Sequence, residues 1–399
     1  MKPQEAFEPE LEELLDRHAQ AFERAYGPGG KVRLFFAPGR VNLMGAHLDY
    51  NGGPVMPMAI DRGTFVALRP RKDRLLVMRS TSESGEFRFD LDAAPRAATG
   101  NWVDYPLGVA LEVFRESPRA VGLEVLFGGN LPVGAGLSSS ASICVGTAFS
   151  LDKVWGLELT PFARVEAALR AERQFVGVQC GIMDPYAVGL AKRGHLLWLD
   201  CKDASIEHLP IDHRAVRIAV ADTGVRRELA AGAFNQRVTE ARRAFEALRG
   251  FVPGSTHLRD VSSAVFASHA DELDPVLRAR ARHVVHEVER TFAARDALLS
   301  GDVERFGRAM FETHVSLRDH YQVSVPELDC LVEAAAREPG VLGARLTGAG
   351  FGGCVVMLLR AGAEVEVAER VSRAFEQAFQ RPARIEVFRG DPGPREWVR

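Results

Sequence analysis

The chain has 399 residues, 46% hydrophobic and 26% charged, with a net charge of −3. That length favours two domains with separate cores, the composition is that of a soluble globular protein, and the charge lacks the basic footprint nucleic acid demands. Five cysteines without CxxC spacing argue against a disulfide framework or zinc site; with no apolar signal core and no bilayer-length run, a cytoplasmic protein without a membrane partner is expected.

In chain order, Leu11, Leu14, Leu15, Ala19, Phe22 and Ala25 recur at helical spacing and predict an amphipathic helix over 9–26. Segments 31–37, 64–69, 74–79 and 121–127 are apolar, β-rich and bounded by turn residues, so they read as strands. Between Pro38 and Pro57 the chain crowds Arg40, His47 and Asp49 around a glycine-rich turn. A cation, an imidazole and a carboxylate so close together suit a polar small molecule better than a core. Ala46 is the odd member, a methyl group among residues suited to hydrogen bonding.

Residues 130–142 read Asn-Leu-Pro-Val-Gly-Ala-Gly-Leu-Ser-Ser-Ser-Ala-Ser. Gly134 and Gly136, with Ala135 between them, let the backbone turn; Leu137 follows, and Ser138, Ser139 and Ser140 add hydroxyls where a helix over 137–155 begins. The unpaired N–H groups and partial positive charge of a helix start favour phosphate. A glycine turn followed by a serine-rich cap is the plain structural alternative. The loop is neither a Walker A loop, since no Gly-Lys-Ser/Thr follows, nor a dinucleotide fingerprint. A second helix, 161–176, starts favourably at Thr160 and Pro161. Strands follow at 195–199 and 216–221, and residues 226–315 carry helical periodicity throughout. Strands 343–347 and 353–359 flank a glycine cluster, and a helix–strand pair closes the chain over 363–387. The fold class is α+β in two domains, 1–205 and 206–399, with no internal repeat.

Four segments together resemble the galactokinase family of the GHMP small-molecule kinases. The stretch Arg40-Val-Asn-Leu-Met-Gly-Ala-His-Leu-Asp-Tyr is similar to the segment that distinguishes galactokinases, and the 130–142 loop to the central GHMP motif. Gln174–Asp184 resembles the catalytic-aspartate segment, and Gly343-Ala-Arg-Leu-Thr-Gly-Ala-Gly-Phe-Gly-Gly-Cys354 the third motif. The resemblance implies a GHMP kinase fold, with a ribosomal-S5-domain-2-like N-terminal domain and a helix-rich, ferredoxin-like C-terminal domain. It implies ATP and Mg²⁺ as cofactors, a sugar substrate, and a chain expected as a monomer with an oligomer also compatible.

Residue by residue, the resemblance places Asp184 at the anomeric hydroxyl with Arg40 beside it, as the catalytic pair, and Gly181 among the substrate contacts. Phosphoryl transfer needs mainly positioning and charge stabilisation. Asp49 is read as the sugar clamp, since a carboxylate accepts two hydroxyls; an Asx-turn into Asn51-Gly52-Gly53 is its structural alternative. His47 is read either as a sugar contact or as a structural histidine. Glu172 shares a predicted helix face with Val165, Leu169 and Val176, where it serves as a salt-bridge partner or, as the resemblance implies, a Mg²⁺ ligand alongside a serine such as Ser140. Trp102 resembles a family aromatic of the adenine pocket, with core packing as the alternative. The loop residues 134–140 are the expected nucleotide contacts.

Galactokinases carry Glu where this chain has Ala46, Thr for Leu48, Gln for Pro185 and Tyr for Phe234. The family glutamate binds the sugar's C6 hydroxyl, and related galacturonate kinases resemble this chain in having alanine there. Losing an acceptor removes a preference and lifts repulsion against an anionic C6 group. Galacturonate is therefore the favoured acceptor, met by His47 or an arginine, with galactose and L-arabinose as alternatives. A galactokinase-like sugar sensor is the non-enzyme alternative; the retained Ser140-Ala141-Ser142 and catalytic residues argue against it.

Overall fold

The structure, a computed structural model, describes residues 8–93, 95, 97–115, 120–132, 136–178, 180–225 and 230–398. Its strands are β1 (Arg33–Asn42), β2 (Pro54–Val55), β3 (Pro57–Pro70), β4 (Leu75–Ser80), β5 (Glu86–Asp90), β6 (Leu123–Gly129), β7 (His195–Asp200), β8 (Ser205–Pro210), β9 (Val216–Asp222), β10 (Val341–Thr347), β11 (Cys354–Arg360), β12 (Arg384–Phe388) and β13 (Arg395–Trp397). The helices are α1 (Pro9–Tyr26), α2 (Asp104–Phe114), α3 (Ser139–Trp155), α4 (Pro161–Arg170), α5 (Met183–Gly189), α6 (Ala230–Leu248), α7 (Ser263–His269), α8 (Pro275–Leu299), α9 (Val303–Ser316), α10 (Pro326–Ala336) and α11 (Glu364–Phe379). Three sheets run β13-β1-β3-β6-β4-β5, β10-β11-β9-β12 and β2-β7-β8. The architecture is α+β, as the patterning predicts. Among the described residues no helix is long and apolar enough to cross a membrane.

The largest sheet buries one face on α2, α3 and α4 through Phe35, Val66, Leu107, Val145 and Ala168. Its long pair β1·β3 shifts register between Pro38 and Gly39. A Cβ at Gly63 would lie 2.0 Å from the Ala37 carbonyl, so only glycine permits the close approach at this irregularity. Beyond the shift, β1 continues to Asn42, past the expected end at 37, and carries Arg40 on a strand. Residue 205 opens β8, next to the turn of the β7–β8 hairpin. One apolar cluster joins Ala46, Leu48 and Val55 to Val284, Leu317 and Leu346, and another joins Val41, Leu43 and Met44 to Phe306 and Val356. The segment after β1 is thus anchored by burial in the second half of the chain.

Several elements depart from the sequence pattern for identifiable reasons. The helical run 226–315 divides into α6 to α9, interrupted where Pro253-Gly254, Asp274-Pro275 and Gly301-Asp302 supply terminators and caps. Helix 161–176 leaves α geometry after Arg170 for a π turn over Ala171–Val176, ending at Gly177 with φ 85°. Strands β2, β5, β8 and β13 and helices α2, α5 and α10 lie outside the predicted set.

Replacing Gly63 by alanine is expected to lower the free energy of unfolding by about 1–3 kcal/mol through overpacking against Ala37. A urea midpoint shift at unchanged m-value measures it.

Candidate active site

Arg40 projects from β1 towards the first turn of α5, where Asp184 sits. Its Nε donates to Asp184 Oδ1 at 2.7 Å and its Nη2 to Oδ2 at 2.8 Å, a bidentate pair. Its third nitrogen, Nη1, donates to the Gly136 carbonyl at 2.6 Å. Ser138 holds a left-handed conformation (φ 60°, ψ 53°) ahead of α3, and its hydroxyl donates to Asp184 Oδ2 at 2.5 Å. The strand, the loop before α3 and α5 therefore meet on one carboxylate.

These groups line a cavity of about 500 Å³. Of the residues singled out in the sequence, it brings together Arg40, Ala46, His47, Asp49, Gly136, Leu137, Ser138, Ser139, Ser140, Gly181, Asp184 and Phe234. Gly134 and Ala135 lie outside the described residues. Leu48 is fully buried in the core and faces no cavity, so its departure from the family pattern is a matter of packing.

Asp49 and Gly181 fit each other closely: a Cβ on residue 181 would lie 1.9 Å from Asp49 Oδ2. Burial, and then the neighbouring Asp184, push the Asp49 carboxyl up to about 6. His47 has φ 59°, and its ring packs against Tyr321 at 4.9 Å and Phe234 at 6.0 Å. Its Nδ1 meets the Tyr50 hydroxyl at 2.8 Å. Burial, with Arg345 and Arg237 adding to it, pushes His47 down to about 3, so the ring is neutral at physiological pH. Its Nε2 faces the Ala349 backbone without closing a well-formed bond, and Asn42 Oδ1 is likewise buried without a partner. Both residues line the cavity.

Glu172 lies in the π turn, 2% exposed. It interacts with the Ser140 side chain, and the Cys180 thiol approaches Oε2 at 3.8 Å. Among the described residues no cationic group forms an ion pair with it, so the salt-bridge alternative fails. Burial pushes its carboxyl up to about 7. A buried carboxylate beside a hydroxyl, with the Arg173 charge near it but not paired to it, is a hard oxygen pair fit for Mg²⁺, which takes few protein ligands.

Trp102 stands apart from the first cavity. It lines a neighbouring one of about 300 Å³ with Tyr105, Phe127 and Ile143, which shares Leu131, Ser139 and Ser140 with the first. Asp104 pins the turn ahead of Trp102, accepting from the N–H groups of Thr99, Gly100 and Asn101. The indole packs edge-on against Phe87 and Phe127, and its Nε1 is buried without a partner.

Arg345 is the residue the sequence reading missed. It is fully buried in β10 yet lines the larger cavity, donating to Leu43 O at 2.7 Å, Asn42 O at 2.5 Å and Leu346 O at 3.0 Å. The available signal was a charge inside an otherwise apolar strand, Val341–Thr347.

Family models match three stretches: the galactokinase galactose-binding signature at residues 20–70, the GHMP kinases N terminal domain at 104–192 and the GHMP kinases C terminal at 294–377. A galactokinase of Chloroflexus aggregans is 44% identical over 341 residues, covering 86% of this chain and 87% of its own. One from a Roseiflexus species is 41% identical over 374 residues, covering 94% and 95%. The solved galactokinase of Lactococcus lactis, complexed with galactose, superposes with a TM-score of 0.91 at 32% identity, covering 96% of this chain and all of its own.

Two neighbouring groups should respond differently to pH. The His47 ring resonances are expected to keep the neutral pattern from pH 8 to pH 5, while the Asp49 carboxyl passes from ionised above to protonated below about 6, read by ¹⁵N and ¹³C NMR.

Proposed function

From the premise that this chain belongs to the galactokinase family of GHMP kinases and is a phosphotransferase with an alcohol acceptor, we propose that it phosphorylates the anomeric hydroxyl of a galactose-configured sugar, with galacturonate favoured. The carrying observation is the Asp184 carboxylate, fixed by Arg40 and Ser138 at the junction of the cavity and the start of α3. In this reading the anomeric oxygen forms a bond to the γ-phosphorus of ATP, the bond to the β,γ-bridging oxygen breaks, and ADP leaves. Asp184 receives the hydroxyl proton; Arg40, held to the loop by Gly136, faces the charge on the transferred group. Asp49 accepts sugar hydroxyls. The unpaired N–H groups at the start of α3, with Ser138, Ser139 and Ser140, take phosphate. Trp102 and its aromatic neighbours hold the base. The sugar segment and phosphate loop fall within 1–205, while 206–399 supplies Phe234 and Arg345.

Magnesium would be held by Glu172 and Ser140, where it neutralises phosphate charge. Because protons compete for Glu172, which titrates at about 7, the carboxylate is largely ionised at pH 8 and largely protonated at pH 6. The Mg²⁺ concentration for half-saturation in the presence of ADP, measured by calorimetry, is expected to rise about tenfold between those pH values.

The preference for galacturonate rests on Ala46 and on what surrounds it. Its methyl, 4% exposed, and the Phe234 ring present no acceptor to the cavity they line. Arg345 contributes a cation on the same cavity, where its hydrogen bonds go to backbone carbonyls and the buried Glu287 carboxylate partly offsets its charge. An anionic C6 group therefore meets attraction there and no opposing glutamate at position 46. Galactose is the second reading, favoured by the galactose-binding signature over 20–70 and the galactose-bound Lactococcus lactis relative.

An ADP-release assay with galactose, galacturonate and L-arabinose separates these readings. Galacturonate is expected to give the highest kcat/KM, and Ala46→Glu to shift the galactose-to-galacturonate ratio at least tenfold towards galactose, roughly the discrimination one buried acceptor supplies. Galactose turning over far faster than the others in the unaltered protein would sink the C6 argument. Absence of ATP consumption with all three would sink the kinase reading.

A further inference from the structure

Beyond Met44 the backbone leaves the sheet, and residues 45–47 turn sharply: Gly45 has φ 82° and His47, not a glycine, has φ 59°. A left-handed conformation at a non-glycine residue persists only where its surroundings hold it. Here the restraint comes from the other half of the chain. Glu287, on α8, accepts the Gly45 N–H at 3.2 Å and the Ala46 N–H at 3.1 Å on the same oxygen, Oε1. His283, one helical turn earlier, meets the Ala46 carbonyl through Nε2 at 3.1 Å, while its Nδ1 meets Ser316 Oγ at 2.9 Å. A carbonyl only accepts, so His283 carries its proton on Nε2.

Glu287 is fully buried and does not line the cavity. Its own position is fixed by Thr313 Oγ1, which donates to Oε2 at 2.9 Å, and by Arg290 Nε, which donates to Oε2 at 3.0 Å. A carboxylate suits this place because each partner is a donor. Glutamine could still accept the two amides at Oε1, but would turn an NH₂ towards Arg290.

We propose that Glu287 is a positioning residue for the acceptor sugar. It fixes the Gly45–His47 turn, and through that turn the Ala46 methyl, the His47 ring and the Asp49 carboxylate that line the cavity. It makes no contact with substrate. The inference rests on the reading of this cavity as the sugar site. Nucleotide groups belong to the start of α3 and the Trp102 cavity, so the effect is confined to the sugar.

The test compares Glu287→Gln, Thr313→Val and Asp49→Asn by steady-state kinetics with both substrates varied. Glu287→Gln is expected to raise the sugar KM about tenfold with the ATP KM within about twofold, the pattern of lost acceptor binding. Thr313→Val, which loosens Glu287 without touching the turn, should show the same split at about two- to fourfold. If Glu287→Gln does not fold, Thr313→Val decides. Equal rises in both KM values, or an unchanged sugar KM in the Glu287 and Thr313 variants while Asp49→Asn raises it, would overturn the positioning role alone. A sugar KM unmoved by Asp49→Asn as well would overturn the sugar-site reading and this inference with it.

Discussion

The ion pair between Arg40 and Asp184 is the constraint on which the rest of the site depends. Its members lie 144 residues apart, and both nitrogens of one arginine edge meet both carboxylate oxygens. The arginine side chain is 6% exposed, so removing the aspartate would leave a nearly buried cation, a loss on the order of 3–5 kcal/mol. The pair also couples three elements. Arg40 reaches the Gly136 carbonyl, its backbone N–H donates to the Leu137 carbonyl at 3.1 Å, and Ser138 closes on the same carboxylate. The end of the cavity proposed to take the reacting hydroxyl and the helix start proposed to take phosphate therefore cannot move independently. For a reaction whose catalysis is mostly positioning, that rigidity is the protein's principal contribution.

Electrostatics across the cavity follows from burial more than from pairing. Desolvation raises Asp49 and Glu172 and lowers His47, in each case as the largest cause. Both carboxyls are thereby shifted towards the neutral pH range, and hydroxyl donors or a divalent cation would favour their charged forms. His47 works in the opposite direction, as a neutral ring wedged among Tyr50, Phe234 and Tyr321. Its role is shape and one hydrogen-bonding nitrogen, which its position among charged residues in the sequence did not disclose.

What the sequence disclosed and what it withheld divide along contact distance. Arg40, Asp49, Ser138 and Asp184 were legible because short motifs carry their own local geometry: a strand end, a glycine turn, a helix start. Glu172 was legible as a buried carboxylate from its helical phase, although the π turn beneath it was not, since a single inserted residue leaves no compositional trace. His283 and Glu287 were silent, and Arg345 showed only as a charge inside an apolar strand. The importance of each arises only when α8 and β10 pack against a segment more than 200 residues earlier. Sequence periodicity reports a buried face but not the identity of what it will meet.

The pairing of β13 with β1 has a consequence for how the protein is made. Leu34, Phe35 and Phe36 lie opposite Trp397, Glu396 and Arg395, and Arg33 is clasped by Glu396, 363 residues further along the chain. The strand that carries Arg40 therefore acquires its outer neighbour only after a further 363 residues have been made. Until then it waits on the ribosome as an open edge, complete in sequence but able to recruit a foreign strand. The interval before residues 395–397 emerge is when a nascent copy most needs protection from its neighbours.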